Sequence, residues 1–211
     1  MSVKITLPDD TVIEKSSGIS PAEIAAGIGK RLARDAVACR IDGVMMDLDV
    51  QLDNDCRLEI ITKGSPEGID IMRHSTAHIM AAAVQRLFDG VKFGIGPSIE
   101  NGFYYDFDLP EAISADDLER IEQEMSLICQ QEEKFERLEV PIEEARARME
   151  ERGETYKLEL LDEIDDNVVS LYRTDEFVDL CRGPHVPNSG KIGAFKLLSV
   201  AGAYWRGDSD N

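Results

Sequence analysis

The stretch MRHSTAHIMAAAV, residues 72–84, contains two of the three histidines in this chain of 211 residues. His74 and His78 stand four residues apart, and on an α-helix this spacing places both side chains on one face. The third histidine, His185, ends the stretch CRGPH, four residues after Cys181. Two pairs with the same spacing, which together use every histidine in the chain, predict that the four side chains form a functional site.

The composition is typical of a soluble globular protein, with 43% hydrophobic and 31% charged residues. The sequence has no apolar run long enough to span a membrane, and its N-terminus, MSVKITLPDD, lacks the apolar centre of a signal peptide. We therefore expect a cytoplasmic protein that does not bind a membrane. Its four cysteines form no CxxC pair, and in the cytoplasm they are expected to be reduced thiols.

The net charge of −19 argues against a protein that coats nucleic acid, because wide contact with phosphates needs a basic surface. It does not exclude a protein that handles only the tip of a nucleic acid with a few local cations. Much of the acid lies in ADDLERIEQEM, QQEEKFERLE and IEEARARMEERGE, which are typical of solvated helix faces.

Residues 1–62 predict a small β-grasp domain. The segments VKITL and TVIE form a hairpin around PDD, and a helix then begins with Ser20 as its N-cap and Glu23 completing a capping box. The segment AVACRI, an Asp42-Gly43 hairpin turn, and the segments VMMDL and RLEIIT complete the sheet.

Residues 71–211 predict a second domain, so that the whole chain has an α+β fold. This domain follows a linker, residues 63–70, that is rich in glycine, serine and proline, and it begins with a helix from about Ile71 to Phe88. The segment FGIGPSIENGFYYDFDL predicts two strands joined by a turn. The later segments predict a long helix capped by Ser114, a helix from Pro141 to Gly153, a strand and a loop in VVSLYRTDEFVDLCRGPHVP, and closing strands in AFKLLSVAGAYWRG; periodicity leaves YKLELL open as strand or helix.

The spacing of the histidine and cysteine pairs alone leaves two kinds of zinc protein open, a zinc hydrolase and a structural zinc site. Two imidazoles four residues apart on a helix can reach one tetrahedral ion, and Cys181 with His185 would supply two further ligands. A protease of the HExxH type is disfavoured, because Ser75 stands where that motif has its glutamate base.

Several stretches of the chain resemble the N-terminal region of bacterial-type threonyl-tRNA synthetases: RHSTAHIMAAAV, FGIGPSIENGFYYDFD, YKLEL, DLCRGPHVP and KLLSVAGAYWRGD. The resemblance covers essentially the whole chain. It implies a TGS domain, which is a β-grasp module, over residues 1–62, and over residues 71–211 an editing domain of the type shared with alanyl-tRNA synthetases. It also implies that the synthetase core, with its ATP, magnesium and zinc sites and its homodimer interface, begins beyond Asn211. The fragment alone should then have no ligase activity.

The resemblance further implies post-transfer editing, in which serine wrongly attached to tRNA(Thr) is released by hydrolysis of its ester with the terminal adenosine. Serine lacks one methyl group of threonine, and a pocket discriminates one methyl group by only about 10–200-fold. A second site that removes serine would correct the resulting errors. The expected partners are the 3′ end of tRNA(Thr) carrying serine and the rest of the synthetase chain.

The resemblance assigns side chains to two groups, one for hydrolysis and one for the substrate. The hydrolytic group comprises His74 and Lys157, which bind and activate the water, and His78, Cys181 and His185, which line the pocket. The substrate group comprises Asp179 for the α-ammonium group, Tyr104 for stacking of the terminal adenine, and Arg182, which joins Arg73, Lys157 and Lys196 in a predicted basic rim for the phosphates.

The resemblance also bears on zinc. In alanyl-tRNA synthetases the matching histidines and cysteine hold a zinc ion, whereas the threonyl editing site works with a water and no tightly held metal. Because FGIGPSIENGFYYDFD and CRGPHVP belong to the threonyl pattern, we expect no cofactor in this chain. The alternative is a zinc ion held by His74, His78, Cys181 and His185. Two other functions stay open: a module that docks tRNA without catalysis, and a zinc-dependent hydrolase of a small molecule.

Overall fold

A five-stranded sheet forms the N-terminal unit in the computed structural model, which describes residues 2–202 and 205. Its strands are β1 (Ser2–Thr6), β2 (Val12–Ser16), β3 (Ala36–Ile41), β4 (Val44–Met46) and β5 (Cys56–Thr62), in the spatial order β2-β1-β5-β3-β4. Strands β1 and β5 are parallel, and the other pairs are antiparallel. Two helices, α1 (Pro21–Ile28) and α2 (Lys30–Asp35), connect the first hairpin to β3. This arrangement confirms the predicted β-grasp fold.

The local sequence explains where these elements begin and turn. The Ser20 hydroxyl accepts a hydrogen bond from the Glu23 N–H, and the Glu23 carboxylate accepts one from the Ser20 N–H, so the predicted capping box is confirmed. Asp42 and Gly43 have φ angles of 49° and 89°, which a two-residue type I′ hairpin turn requires. The short helix α2 buries no residue, so no hydrophobic period in the sequence predicts it.

Helix α3 (Pro66–Leu87) is buried along ten consecutive residues, from Ser75 to Val84. It begins at Pro66, so the predicted start at Ile71 is wrong. Ser65 caps the helix by accepting a hydrogen bond from the Gly68 N–H, and proline fits the first helical position. The serine and proline interpreted as linker therefore start the helix. Among the described residues, no helix combines the length and the hydropathy needed to cross a membrane.

The aromatic segment after α3 forms two nested pairs of two-residue strands. The outer pair joins β6 (Lys92–Phe93) to β9 (Phe107–Asp108), and the inner pair joins β7 (Ser98–Ile99) to β8 (Gly102–Phe103). The predicted hairpin is thus present, but each of its arms is interrupted. The interruptions release residues 94–97 and 104–106 from strand pairing, and both stretches contribute to the site described below.

The remaining elements form a three-stranded antiparallel sheet with helices around it. They are α4 (Ala115–Gln131), β10 (Glu136–Pro141), α5 (Ile142–Arg152), α6 (Thr155–Asp162), β11 (Val168–Thr174), β12 (Phe177–Leu180) and a 3₁₀ helix (Ser189–Lys191), with sheet order β10-β11-β12. Ser114 caps α4 as predicted. The segment YKLELL, left open by periodicity, is helical and belongs to α6.

The predicted closing strands in AFKLLSVAGAYWRG are wrong for the part of this segment that the structure describes. Residues 194–202 form no strand there. The Leu197 N–H donates to the Glu122 carboxylate at 2.6 Å rather than to a neighbouring strand, and Leu198 is 86% exposed. An apolar pattern becomes a strand only where a sheet edge offers hydrogen-bonding partners. Ala203, Tyr204, Arg206 and Gly207 lie outside the described residues.

The N-terminal sheet packs directly against the second unit. Val37, Ala38 and Ile61 of β3 and β5 belong to the same buried cluster as the middle of α3. The Lys191 ammonium group of the second unit donates hydrogen bonds to the carbonyls of Ala33 and Arg34 on α2. The two units therefore share one hydrophobic core and a polar contact beside it.

Replacement of Gly68 by alanine tests the junction between β5 and α3. A Cβ atom at Gly68 would lie 2.0 Å from the Thr62 carbonyl oxygen, so the helix would have to move away from the strand. We expect Gly68→Ala to lower the free energy of unfolding by about 1–3 kcal/mol, as other overpacked sites do. Gly64→Ala is the matched control, because a Cβ there meets nothing within 4 Å. Urea unfolding of both variants measures the difference, and equal stability would contradict the tight junction.

Candidate active site

The three histidines and Cys181 meet in one cluster, with donor atoms that all lie within 4.8 Å of one another. Helix α3 carries His74 and His78, and the loop after β12 carries Cys181 and His185. The His74 Nε2 atom lies 3.1 Å from the Cys181 sulfur, which lies 3.4 Å from His185 Nε2. The rings of His74 and His185 stack at a centroid distance of 4.5 Å. Two pairs separated by more than 100 positions in sequence thus form one cluster.

A hydrogen bond to the backbone of Gly96 fixes the ring of His74. Its Nδ1 lies 3.2 Å from the Gly96 carbonyl oxygen. A carbonyl oxygen only accepts, so Nδ1 must carry the hydrogen and Nε2 must hold a lone pair. The nitrogen that can accept a proton therefore faces the interior of the cluster.

Ser75 fixes the ring and the backbone of the His185 segment. Its hydroxyl lies 3.0 Å from His185 Nδ1 and accepts a hydrogen bond from the Val186 N–H at 3.1 Å. Ser75 is fully buried, so these contacts are not shared with solvent. Ser75, which stands where an HExxH protease has its glutamate, thus holds the segment that carries His185.

A buried ion pair adjoins the histidines. The Lys157 ammonium of α6 lies 2.5 Å from Asp179 Oδ1 of β12. The Tyr105 hydroxyl donates to Asp179 Oδ2 at 2.6 Å and accepts from Lys157 at 3.2 Å. His78 Nε2 lies 3.5 Å from the same carboxylate. All four side chains are buried, and charges placed so far from water need this degree of pairing.

Tyr105 is a site residue that the sequence did not predict. The resemblance predicts a role for the adjacent Tyr104, which is 40% exposed, whereas Tyr105 is 7% exposed. A Cβ atom at Gly96 would lie 2.1 Å from the Tyr105 ring. The second glycine of FGIGP therefore leaves room for this ring, and that close approach is the sequence signal that marks the buried tyrosine.

Arg182 and the other cations of the predicted rim lie at the surface, except Lys157. Arg182 is exposed on the loop after β12. Lys196 binds the Glu122 carboxylate at 2.7 Å, and Arg73 lies 3.7 Å from Asp70. Three of the four predicted rim cations, including Lys157, thus have a carboxylate partner, which reduces the positive field they present to phosphates.

Burial keeps most groups of the cluster uncharged at neutral pH. Loss of solvation lowers the pKa of His74 and takes the pKa of His78 and His185 well below the ordinary 6.5. Burial also raises the pKa of the Cys181 thiol to about 12, with a further contribution from Asp179. The site therefore combines neutral imidazoles and a protonated thiol with one buried ion pair. A neutral imidazole can act as a general base.

The four donors fit a metal ion of the zinc type. Gly96 and Ser75 contact the Nδ1 atoms of His74 and His185 and so orient these two rings, as hydrogen-bonding groups outside the ligand shell orient zinc ligands. The Nδ1 atom of His78 is buried and has no hydrogen-bond partner among the described residues. Nitrogen and sulfur donors in this number match the tetrahedral preference of zinc. The described residues thus contain a possible metal site.

Comparison with known proteins shows which proteins this chain is similar to. Residues 3–62 match the model of the TGS domain, and residues 169–211 match that of the threonyl and alanyl tRNA synthetase second additional domain. The chain is 50% identical over 210 residues to threonine–tRNA ligase of Symbiobacterium thermophilum and 52% identical to threonine–tRNA ligase 1 of Bacillus subtilis. It matches the N-terminal part of threonine–tRNA ligases.

Each alignment covers 99% of this chain, and the chain spans about a third of the length of these threonine–tRNA ligases, 32% and 33%. The threonine–tRNA ligase of Halorhodospira halophila is 47% identical over 208 residues. The matched additional domain contains Asp179, Cys181 and His185. The half of the site on α3 and α6 lies between the two matched regions but within the stretch shared with the ligases. The predicted resemblance is thereby confirmed.

The protonation of the three histidines can be measured directly. We expect the rings of His78 and His185 to stay neutral at about pH 5.5, where a free histidine is mostly protonated, and His74 to have a pKa below the ordinary 6.5. The unfolded chain would bind protons there that the folded chain does not, so stability should fall as the pH drops below about 6.5 and stay level above it. NMR of ring ¹⁵N nuclei in metal-free buffer, from pH 8 to about pH 5, gives each pKa. A titration of His78 or His185 at the ordinary 6.5 would contradict the buried cluster.

Proposed function

We propose that this chain is the editing part of a threonine–tRNA ligase and that its cluster hydrolyses the ester between serine and the terminal adenosine of mischarged tRNA(Thr). The observation that carries the proposal is the lone pair on His74 Nε2. It belongs to a neutral ring, its orientation is fixed by Gly96, and the buried Lys157–Asp179 pair lies in the same site. A base, a cation and an anion are the three groups that hydrolysis of an aminoacyl ester needs.

The reaction proceeds by attack of a water molecule on the ester carbonyl. His74 Nε2 takes one proton from the water while the oxygen forms a bond to the carbonyl carbon. Lys157 helps His74 to bind the water, and its positive charge stabilises the negative charge that develops on the carbonyl oxygen. The bond between that carbon and the ribose oxygen then breaks, and the proton on His74 passes to the ribose oxygen. The products are free serine and uncharged tRNA, so no other reactant is needed.

Asp179 is proposed to receive the α-ammonium group of the substrate. Its carboxylate already accepts from Tyr105 and pairs with Lys157, so the substrate cation would join an existing network rather than fill an empty site. Tyr105 and Lys157 therefore fix where the ammonium group can lie. This fixed anchor explains how a single methyl group could matter: a displacement of about 1 Å between water and carbonyl can cost on the order of 100-fold in rate.

The exposed residues are proposed to contact the nucleic acid. The ring of Tyr104, 40% exposed, offers a face for the terminal adenine. The Arg182 guanidinium, exposed beside the cluster on the loop after β12, suits a phosphate. In the complete ligase, charging of tRNA with threonine, its ATP, magnesium and zinc sites and its homodimer contact are proposed to belong to the core. The rest of the ligase is then the protein partner of these residues.

A second candidate is a hydrolase that uses the same cluster with zinc. The four convergent donors favour it, as does the His78 Nδ1 atom, for which the described part of the chain offers no hydrogen-bond partner. His74, His78, Cys181 and His185 would hold the ion, which would supply an activated water at neutral pH. Lys157 and Asp179 would keep their roles toward the substrate.

Replacement of His74 by alanine tests the base. We expect the rate of seryl-tRNA(Thr) hydrolysis to fall by about 100-fold or more, because general-base catalysis contributes roughly 10²–10⁴-fold. Binding of a non-hydrolysable seryl-adenosine analogue should change little. The assay measures release of radiolabelled serine, and of threonine for selectivity, with the exposed Asp89→Ala variant as control. Hydrolysis by His74→Ala at a rate near that of the unaltered chain would remove the proposed role of His74.

Metal analysis separates the two candidates. We expect the purified chain to hold less than stoichiometric zinc and to keep its activity after dialysis against a chelator. Elemental analysis by plasma mass spectrometry gives the zinc content, and His185→Gln reports whether any bound zinc depends on the cluster. One zinc per chain, lost in His185→Gln and required for hydrolysis, would replace the first candidate with the second.

A further inference from the structure

Asp47 is a buried carboxylate of the N-terminal unit that neither the fold of that unit nor the proposed reaction explains. It follows β4 and is 7% exposed. Burial raises its pKa, and hydrogen bonds from two donors oppose this effect. Both donors belong to the second unit, because Oδ2 accepts from the Tyr172 hydroxyl at 2.7 Å and Oδ1 accepts from the His185 N–H at 2.9 Å. Both oxygens of the Asp47 carboxylate thus accept hydrogen bonds from the second unit.

These two contacts hold the loop that carries Cys181 and His185. Gly183, in the middle of this loop, has a φ angle of 68°, and a Cβ atom there would lie 2.0 Å from the Tyr172 hydroxyl oxygen. The loop therefore packs directly against the Tyr172 hydroxyl, which Asp47 binds. The rings of Tyr172 and His185 also contact each other, with centroids 4.5 Å apart. Asp47 thus fixes the end of the loop and the tyrosine beneath its centre.

A shift of the loop would reach the reacting groups through His185. Its ring stacks on His74, its Nδ1 lies 3.0 Å from the Ser75 hydroxyl, and its Nε2 lies 3.4 Å from the Cys181 sulfur. The backbone bond to Asp47 is the contact that ties this ring to the N-terminal sheet. Without that bond, a buried N–H loses its acceptor, and the loop can recover it only by moving toward water or another acceptor.

We propose that Asp47 is a positioning residue of the hydrolytic site: through its bonds to the His185 N–H and the Tyr172 hydroxyl, the N-terminal unit sets the place of the His185 ring against His74. The expected change in hydrolysis rate rests on the proposed function, whereas the expected displacement of the His185 ring does not. The N-terminal unit then contributes to hydrolysis, because its Asp47 side chain holds the loop that carries His185.

Kinetics and NMR of Asp47 variants test the proposal in the full chain. Asp47→Ala removes both acceptors, whereas Asp47→Asn keeps one oxygen for the His185 N–H and an amide that can donate to the Tyr172 oxygen. Asp49→Ala is the matched control, since Asp49 is exposed two residues away. We expect kcat for seryl ester hydrolysis to fall by roughly 10–100-fold in Asp47→Ala, consistent with a displacement below or near 1 Å, while KM changes much less. Asp47→Asn should recover most of the loss, and Asp49→Ala should not differ from the unaltered chain.

The ring ¹⁵N signals of the three histidines give a readout that a purely stabilising residue would not move. In folded Asp47→Ala, measured at a temperature well below its unfolding midpoint, we expect the His185 signals to shift and those of Asp49→Ala to stay in place. Unchanged kcat together with unchanged His185 signals in folded Asp47→Ala would overturn the proposal. If Asp47→Ala does not fold, Asp47→Leu, which fills a similar volume without an acceptor, is measured in its place, and unchanged signals and kcat would overturn the proposal equally. If the unaltered chain does not hydrolyse seryl-tRNA(Thr), the proposed function fails, and the His185 signals alone decide whether Asp47 positions the loop.

Discussion

The buried pair of Lys157 and Asp179 is the interaction on which the second unit depends. It joins α6 to β12, and the Tyr105 hydroxyl adds the aromatic segment by bonding both charges. Breaking such a pair by removal of one partner typically costs about 3–5 kcal/mol, because the remaining charge stays buried without compensation. Three elements that are distant in sequence are thus held at one point, beside the face of α3 that carries the histidines.

The same burial defines the reactivity of the site. Neutral imidazoles, a protonated thiol and a neutral phenol surround one charged pair, so the field of that pair is weakly screened. In water, an exposed lysine and aspartate would interact with little net effect. Inside the cluster, the positions of the two charges are fixed in advance, which is the arrangement that lowers the cost of charge that develops in a reaction.

Local sequence determined what could be predicted. The capping residues Ser20 and Ser114 and the Asp42-Gly43 turn act within a few positions of one another, and their elements begin or turn where expected. The helical spacing of His74 and His78 predicted a shared face, and the structure brings Cys181 and His185 to that face.

The parts that were missed depend on distant partners. The burial of Tyr105 follows from Asp179 and Gly96, and the contacts of Ser75 and Asp47 follow from a loop more than 100 residues away. The predicted closing strands were wrong for the same reason: the hydrogen-bonding partners of an apolar segment depend on the surface beside it, and Leu197 meets the Glu122 carboxylate instead of a strand. Resemblance pointed to threonyl-tRNA synthetases where periodicity could not, and it singled out the exposed Tyr104 but gave no sign of the buried Tyr105.

The fully buried middle of α3 also has a consequence for folding during synthesis on the ribosome. Its ten buried residues include Ile79, Met80 and Val84, and part of their cover, Phe177 and Val186, comes from residues near the opposite end of the sequence. A ribosome adds about 5–20 residues per second, so an apolar helix would leave the exit tunnel roughly 5–20 s before those residues follow it. During that interval the N-terminal sheet, whose last strand ends at Thr62, has already been synthesised and offers a surface against which the helix can pack. The contact between the two units is therefore also an early protection against aggregation of the nascent protein.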